Sequence, residues 1–359
     1  MRILDKYTIL KIVKNYLFIL FLFIGLFVII DIFSHLESFL KGKISFEEII
    51  SYYFYNLPFI FLKVSPFSIL ISSIYLFGEM NKNNEIIAMR VAGLSIFRII
   101  FPTIVFSLFL SLFSLTIQEK TLILSQKRIE NINIKLLKGK KRPERNNLAF
   151  RYQNMIFFVS RYLPSQEILQ NTVIFKENKK GEIIEKIVAK EITNTEKGWL
   201  AEEVVIYPVN KNRVFLSPFY KKNLFLGIKS DFENTIIKKS VFSQLSSLKD
   251  IWRERERLKK MKAGQLVSQL TIKYHQKLSE PFSHLFLVIG VIPFALEIKK
   301  RKVGLVSFGV GFLFSFIYYV IFSVSLALGK SGIILPFLCS WCAPLFFVIL
   351  GVSGLFLIR

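Results

Sequence analysis

The sequence predicts a membrane α-helical protein: six transmembrane helices, with an all-β domain inserted between the third and the fourth. Three observations carry that reading. The chain is 52% hydrophobic with mean hydropathy +0.46, more than a soluble domain needs to fill its core. The apolar residues collect in long uncharged runs comparable to the ~20 residues that cross about 30 Å of hydrocarbon. The middle of the chain instead alternates short β-rich segments with turn signals.

Taken in order, the first span covers about Asn15 to Phe33 and stays uncharged until Asp31. Lys11 and Lys14 precede it as in a signal peptide, but no small-residue cleavage site closes the run, so it reads as a retained helix. The second span, roughly Ile50 to Gly78, contains Pro58, Lys63 and Pro66 and is expected to be long, tilted and irregular in the middle. The third runs from Ile99 to Ile117 between Arg98 and Glu119. The fourth, fifth and sixth follow at Pro281 to Leu296, Val303 to Leu328 and about Ile333 to Ile358. The expected domains are residues 1–125, with a short helix at about 83–93, then the β domain at 126–243, then 244–359.

Within the insert, Met155 to Tyr162, Asn171 to Lys176, Glu182 to Ile192 and Trp199 to Tyr207 are rich in Val, Ile, Phe and Tyr. Glu177-Asn178-Lys179-Lys180-Gly181 and Asn194-Thr195-Glu196-Lys197-Gly198 separate strands, which points to an all-β sandwich or roll. Gln244 to Lys262 then reads as a charged helix, with Leu245, Leu248, Ile251, Trp252 and Leu258 on one face, lying at the outer interface and leading into the fourth span.

Charge sets the orientation. The short loops on one side carry twelve Lys and Arg (Arg2, Lys6, Lys11, Lys14, Lys82, Arg90, Arg98, Lys299, Lys300, Arg301, Lys302 and Arg359), against Lys41, Lys43 and Lys330 on the other. The basic side is expected in the cytoplasm, with both termini, and the insert across the membrane; long translocated domains escape the rule. Of the net charge of +24, roughly two thirds lies between Lys120 and Gln265, which carry 31 basic and 15 acidic residues. In a membrane protein that excess suits an anionic lipid rather than nucleic acid.

Catalytic patterns are missing. The sequence contains no GxSxG, HExxH or Gly-rich phosphate loop, and Gly329-Lys330-Ser331 lacks the upstream glycine of a nucleotide loop, since Val324 stands there. His35, His275 and His284 have no metal-ligand spacing, and Cys339 and Cys342 sit in the last apolar run, away from the soluble context of a redox pair. The expected cofactor and metal content is none.

The informative loop is Gly78 to Ser95. Asn83 or Asn84 suits a helix cap, Glu85 falls in the first turn where the dipole favours an anion, and Gly93 suits the stop. The result is a short helix with Ile86, Met89 and Arg90 available to a partner, or else an ordinary solvated loop helix.

Leu4-Asp5-Lys6-Tyr7, Glu85-Ile86-Ile87-Ala88-Met89-Arg90-Val91-Ala92-Gly93 followed by Arg98, Lys277-Leu278-Ser279-Glu280-Pro281, and Trp341-Cys342-Ala343-Pro344 together resemble the LptF/LptG family, the lipopolysaccharide-export permeases of the YjgP/YjgQ type. Of the two paralogues LptG is the closer resemblance, through Thr172-Val173-Ile174-Phe175 to Trp199. The resemblance implies a non-catalytic half-transporter whose insert is a periplasmic β-jellyroll. It would pair with its paralogue, dock on an LptB-like ATPase dimer that holds ATP and Mg, and work with an LptC-like single-helix protein and an LptA-like bridge to move lipopolysaccharide out of the inner membrane. Glu85, Ile86, Met89 and Arg90 become the expected ATPase-coupling residues. Lys63 is an expected phosphate contact in a cavity, or a snorkelling or paired lysine. Asp31 stands where some relatives carry a basic, substrate-facing residue, and Lys41 and Lys43 are expected outer-rim contacts or a solvated loop. The competing class is a membrane scaffold or sensor whose β domain binds a ligand without transport.

Overall fold

The apolar runs become helices of 15 to 39 residues. The structure is a computed structural model and describes residues 3–41, 45–122, 145–163, 166–178, 183–195, 198–209, 216–227, 247–260, 264–297 and 303–357, with Leu124, Ser125 and Ile129. The first run forms α1 (Ile3–Lys41), the second α2 (Phe46–Lys82), and a short α3 (Glu85–Val91) leads to α4 (Ile96–Thr116) and a π turn (Ile117–Thr121). After the insert come α5 (Leu248–Lys260), α6 (Gly264–Ser279), α7 (Ser283–Glu297), α8 (Val303–Lys330) and α9 (Pro336–Leu357). The chain divides into two compact units, one helical (Met1–Ile132, Leu248–Lys259 and Ala263–Arg359) and one containing the sheet (Asn133–Ser247 with Lys260–Lys262).

Among the described residues α1, α2, α4, α8 and α9 are long and apolar enough to cross a membrane. The fourth span differs from the sequence expectation. Alone, α7 has 15 residues, about 22 Å at the α-helical rise, too short for a ~30 Å core. The charged α5 does not lead directly into it: α6 intervenes, and α6 and α7 make a pair bent by 60°. The break falls at Glu280-Pro281-Phe282, where Pro281 has no N–H to donate and disfavours helical backbone at Glu280.

The centre of the helical unit is α2, which packs on α1, α7 and α8. Its expected irregular middle is absent, since the helix runs unbroken through Pro58 and Pro66. Ser68, Ser72 and Ser73 turn their hydroxyls onto the carbonyls of Val64, Ser68 and Ile69 on the same helix, so they fill buried positions without needing a partner elsewhere. Small residues also set the α7 to α9 approach. A Cβ at Gly351 would overlap the Ile289 backbone carbonyl, so only glycine fits there.

The insert forms a six-stranded antiparallel sheet: β1 (Arg145–Tyr152), β2 (Met155–Leu163), β3 (Ile168–Glu177), β4 (Ile183–Thr195), β5 (Gly198–Pro208) and β6 (Phe219–Phe225). Each strand pairs with the next, which makes a plain meander. Phe150 stacks on Phe157 at 5.1 Å, and Phe157, Tyr162, Leu169, Ile174, Ala189 and Val204 are buried in one apolar layer. Asn171 and Glu203 have positive φ and interrupt the alternation, and Glu203 pairs there with Lys190 at 2.9 Å. The edge strand β6 leaves Phe219, Tyr220 and Phe225 exposed.

Candidate functional site

The loop between α2 and α4 folds into a braced seven-residue helix. Its start departs from the expected cap: Asn84 occupies the capping position in the left-handed region (φ 59°) and makes no side-chain cap bond. Glu85 is held instead by three donors. Tyr7 Oη donates at 2.9 Å, Lys11 Nζ at 3.1 Å and Asn83 Nδ2 at 3.3 Å. Lys11 also lies 3.9 Å from Glu79 and over the Tyr7 ring at 4.6 Å. Burial alone would raise the Glu85 carboxyl, but the bonds from Lys11, Tyr7 and Asn83 and the Lys11 charge outweigh it and hold it below the usual range.

The helix end follows from Gly93. At φ +84° it allows a two-bond terminus in which Gly93 N donates to Arg90 O at 2.9 Å and Leu94 N to Met89 O at 3.1 Å. Leu94 and Met89 then line one cleft with Leu4, Asp5, Thr8 and Arg98. Ser95 caps α4 by accepting from Arg98 N, while the Arg98 guanidinium donates to Asp5 at 2.7 Å. Two ion pairs thus fasten the first turns of α1 to the α3–α4 corner, one at each end of α3.

Arg90 is exposed, as expected of a residue offered to a partner. Ile86 is not: it is 7% exposed and belongs to the apolar core, and Met89 is half-buried against the same core. The outward surface is Ile87, 50% exposed, Val91, 84% exposed, and Arg90. Sequence reasoning misassigned this because apolar residues stand on both faces of seven positions, where periodicity does not distinguish them. It also did not pair Lys11 and Tyr7 with Glu85, although Tyr7 lay in a motif already noticed.

The expected substrate residues are dispersed. Lys63 is exposed on α2, its ammonium 5.8 Å from the Phe59 ring. Asp31 accepts from the Tyr53 hydroxyl at 2.8 Å and lies 3.4 Å from His35 Nδ1, so it braces α1 against α2. The Lys41 side chain and Lys43 lie outside the described residues. Cys339 is buried with its sulfur against Gly329, and Cys342 is exposed.

Comparison with known families gives one match. A family model described as Lipopolysaccharide export system permease LptF/LptG covers residues 6–359, essentially the whole chain. That description spans both paralogues. No curated protein sequence matches the chain.

Proposed function

Because the chain belongs to the LptF/LptG family of lipopolysaccharide export permeases, we propose that it is the transmembrane subunit of an ATP-driven exporter that extracts lipopolysaccharide from the inner membrane and passes it to a periplasmic β-jellyroll bridge. The observation that carries the ATP-driven part is α3, an exposed apolar and cationic face whose Glu85 is paired with Lys11 of α1, beside a second pair that ties α4 to α1. A helix that only fills a loop needs no such bracing. A helix that receives force does, because a pull on a loose helix is dissipated in its own motion.

On this reading Ile87, Arg90 and Val91 meet an LptB-like ATPase dimer in the cytoplasm, and Glu85 positions them rather than reaching out itself. ATP and Mg belong to that partner. The chain pairs with a paralogous six-span subunit, and it is the LptG-like member of that pair. An LptC-like single helix and an LptA-like bridge complete the path, with the sheet in the periplasm. Lys63 meets substrate phosphate, supported by its exposure within a spanning helix, where a charge seldom faces lipid.

The test is purification of the full chain in mild detergent from its own host. An ATPase and a second six-span chain should copurify, and Ile87→Asp with Val91→Asp should release the ATPase while the second chain stays. Isolation of the chain alone, or with no ATPase bound, would contradict the proposal.

A further inference from the structure

A second polar chain lies inside the helical unit, at the break in the fourth span. His284 opens α7 just past Pro281 and is 1% exposed. Its Nδ1 stands 2.7 Å from the Pro281 carbonyl, which can only accept, so Nδ1 carries a proton. A charged ring is costly in a spanning segment, and the neutral ring leaves Nε2 as an acceptor. The Ser65 hydroxyl, 2.8 Å away on α2, therefore donates to Nε2. Ser65 has then used its single proton, so the Tyr16 hydroxyl of α1 donates to Ser65 at 2.7 Å. The order is fixed from end to end: Tyr16, Ser65, His284, Pro281. Ser114 on α4 stands 3.4 Å from the same Nε2 and is the poorer donor.

The other end of α7 is gripped as well. Asn81 Nδ2, one residue before the last of α2, donates to Leu296 O at 2.9 Å. One continuous helix thus holds α7 near both of its ends, and from its end the chain turns through Asn83 and Asn84 into α3. Hydrogen bonds among neutral groups suit a joint that must hold an angle and still yield, since breaking one costs less than leaving half of a buried ion pair uncompensated.

We propose that α2 and α7 form a lever, and that His284 is the positioning residue that sets the bend of the broken span, so that displacement of α3 changes the angle between α6 and α7. The proposal rests on the exporter reading and adds where the motion goes. The experiment uses the full complex in proteoliposomes containing lipopolysaccharide, with ATP hydrolysis and lipid release measured together. Ser65→Ala should lower release about fivefold, the effect of one lost net hydrogen bond, while hydrolysis stays within about twofold. Ser65→Thr, which keeps the hydroxyl, should restore release. His284→Gln should resemble Ser65→Ala, and the double variant should be no worse than His284→Gln, because both act on one chain of bonds.

Spin labels at Gln269→Cys on α6 and Glu297→Cys on α7, in a chain carrying Cys342→Ala so that this exposed thiol takes no label, read the bend directly. Their separation should change with nucleotide in the otherwise unaltered chain and cease to follow it in Ser65→Ala. Unchanged release in Ser65→Ala, effects that multiply in the double variant, hydrolysis falling in step with release, or a separation that ignores nucleotide would each overturn the lever. If His284→Gln does not assemble, the alanine and threonine variants at residue 65 decide alone. An unaltered complex without ATP hydrolysis overturns the exporter reading, and the lever with it, before any variant is made.

Discussion

The sheet and the helical unit are stabilised by contacts of opposite kinds. In the sheet every strand pairs with its neighbour in sequence, and the buried layer is one apolar cluster. In the helical unit the polar contacts that fix geometry join residues far apart: Lys11 to Glu85, Asp5 to Arg98, Asn81 to Leu296 and Ser65 to His284. A local architecture tolerates change at its edges and fails as a layer. A long-range one fails at single points, and those points sit where motion would be transmitted.

In the helical unit a large effect should come from the close approach of α9 to α7. Gly351→Leu forces a side chain into the Ile289 backbone, which has no rotamer to escape into, and overpacking of this kind costs about 3 kcal/mol. Size-exclusion chromatography in detergent should show the helical unit lost. A monodisperse, stable variant would mean that the close approach of α7 and α9 is not required.

In the sheet the comparison predicts containment. Phe157→Ala removes a fully buried ring stacked on Phe150, at a cost of about 3–5 kcal/mol. Limited proteolysis should then cut within residues 145–227 and leave both helical segments intact. Cleavage throughout the chain would show that the two units share stability.

That contrast also explains what could be read from the sequence. Four of the six strands, five of the six spans and α3 are legible, because alternation, run length and a Gly93 stop are local signals. The fourth span was placed too simply: α6 is amphiphilic rather than apolar, so only the α7 limb looked like membrane, and the bend at Pro281 was invisible. Ile86 was assigned to the wrong face for lack of a third turn. His284 reads as an isolated histidine because its partner Ser65, and Tyr16 behind it, are ordinary residues in distant helices, and no motif spans 219 positions.

A smaller effect separates substrate contact from scaffold. If Lys63 meets phosphate, Lys63→Glu should cut lipopolysaccharide release about tenfold and Lys63→Gln about threefold, because reversal adds repulsion where neutralisation only removes attraction. Release near the unaltered level in both would return Lys63 to a packing role over Phe59.

Acidification should weaken the α3 brace. The Glu85 carboxyl is held low in the folded chain, so its contribution is present above the ordinary carboxylate range and is lost as pH falls through the depressed value. Protection of the α3 amides against exchange, corrected for the slower intrinsic exchange in acid and read by mass spectrometry, should fall once the pH drops below the ordinary carboxylate range, and Glu85→Gln should show no such step.

The brace itself is most directly tested by exchanging its charges. A half-buried ion pair of this kind is worth about 1 kcal/mol, so Lys11→Glu and Glu85→Lys should each lower ATP-driven lipopolysaccharide release about fivefold. In the double variant Lys11→Glu with Glu85→Lys, made together with Glu79→Gln so that no second carboxylate faces position 11, the pair is restored with its polarity reversed, and release should return to within about twofold of the Glu79→Gln chain. A double variant as impaired as Glu85→Lys alone would contradict the account, because it would mean that Glu85 acts on the ATPase itself rather than by holding α3 against α1.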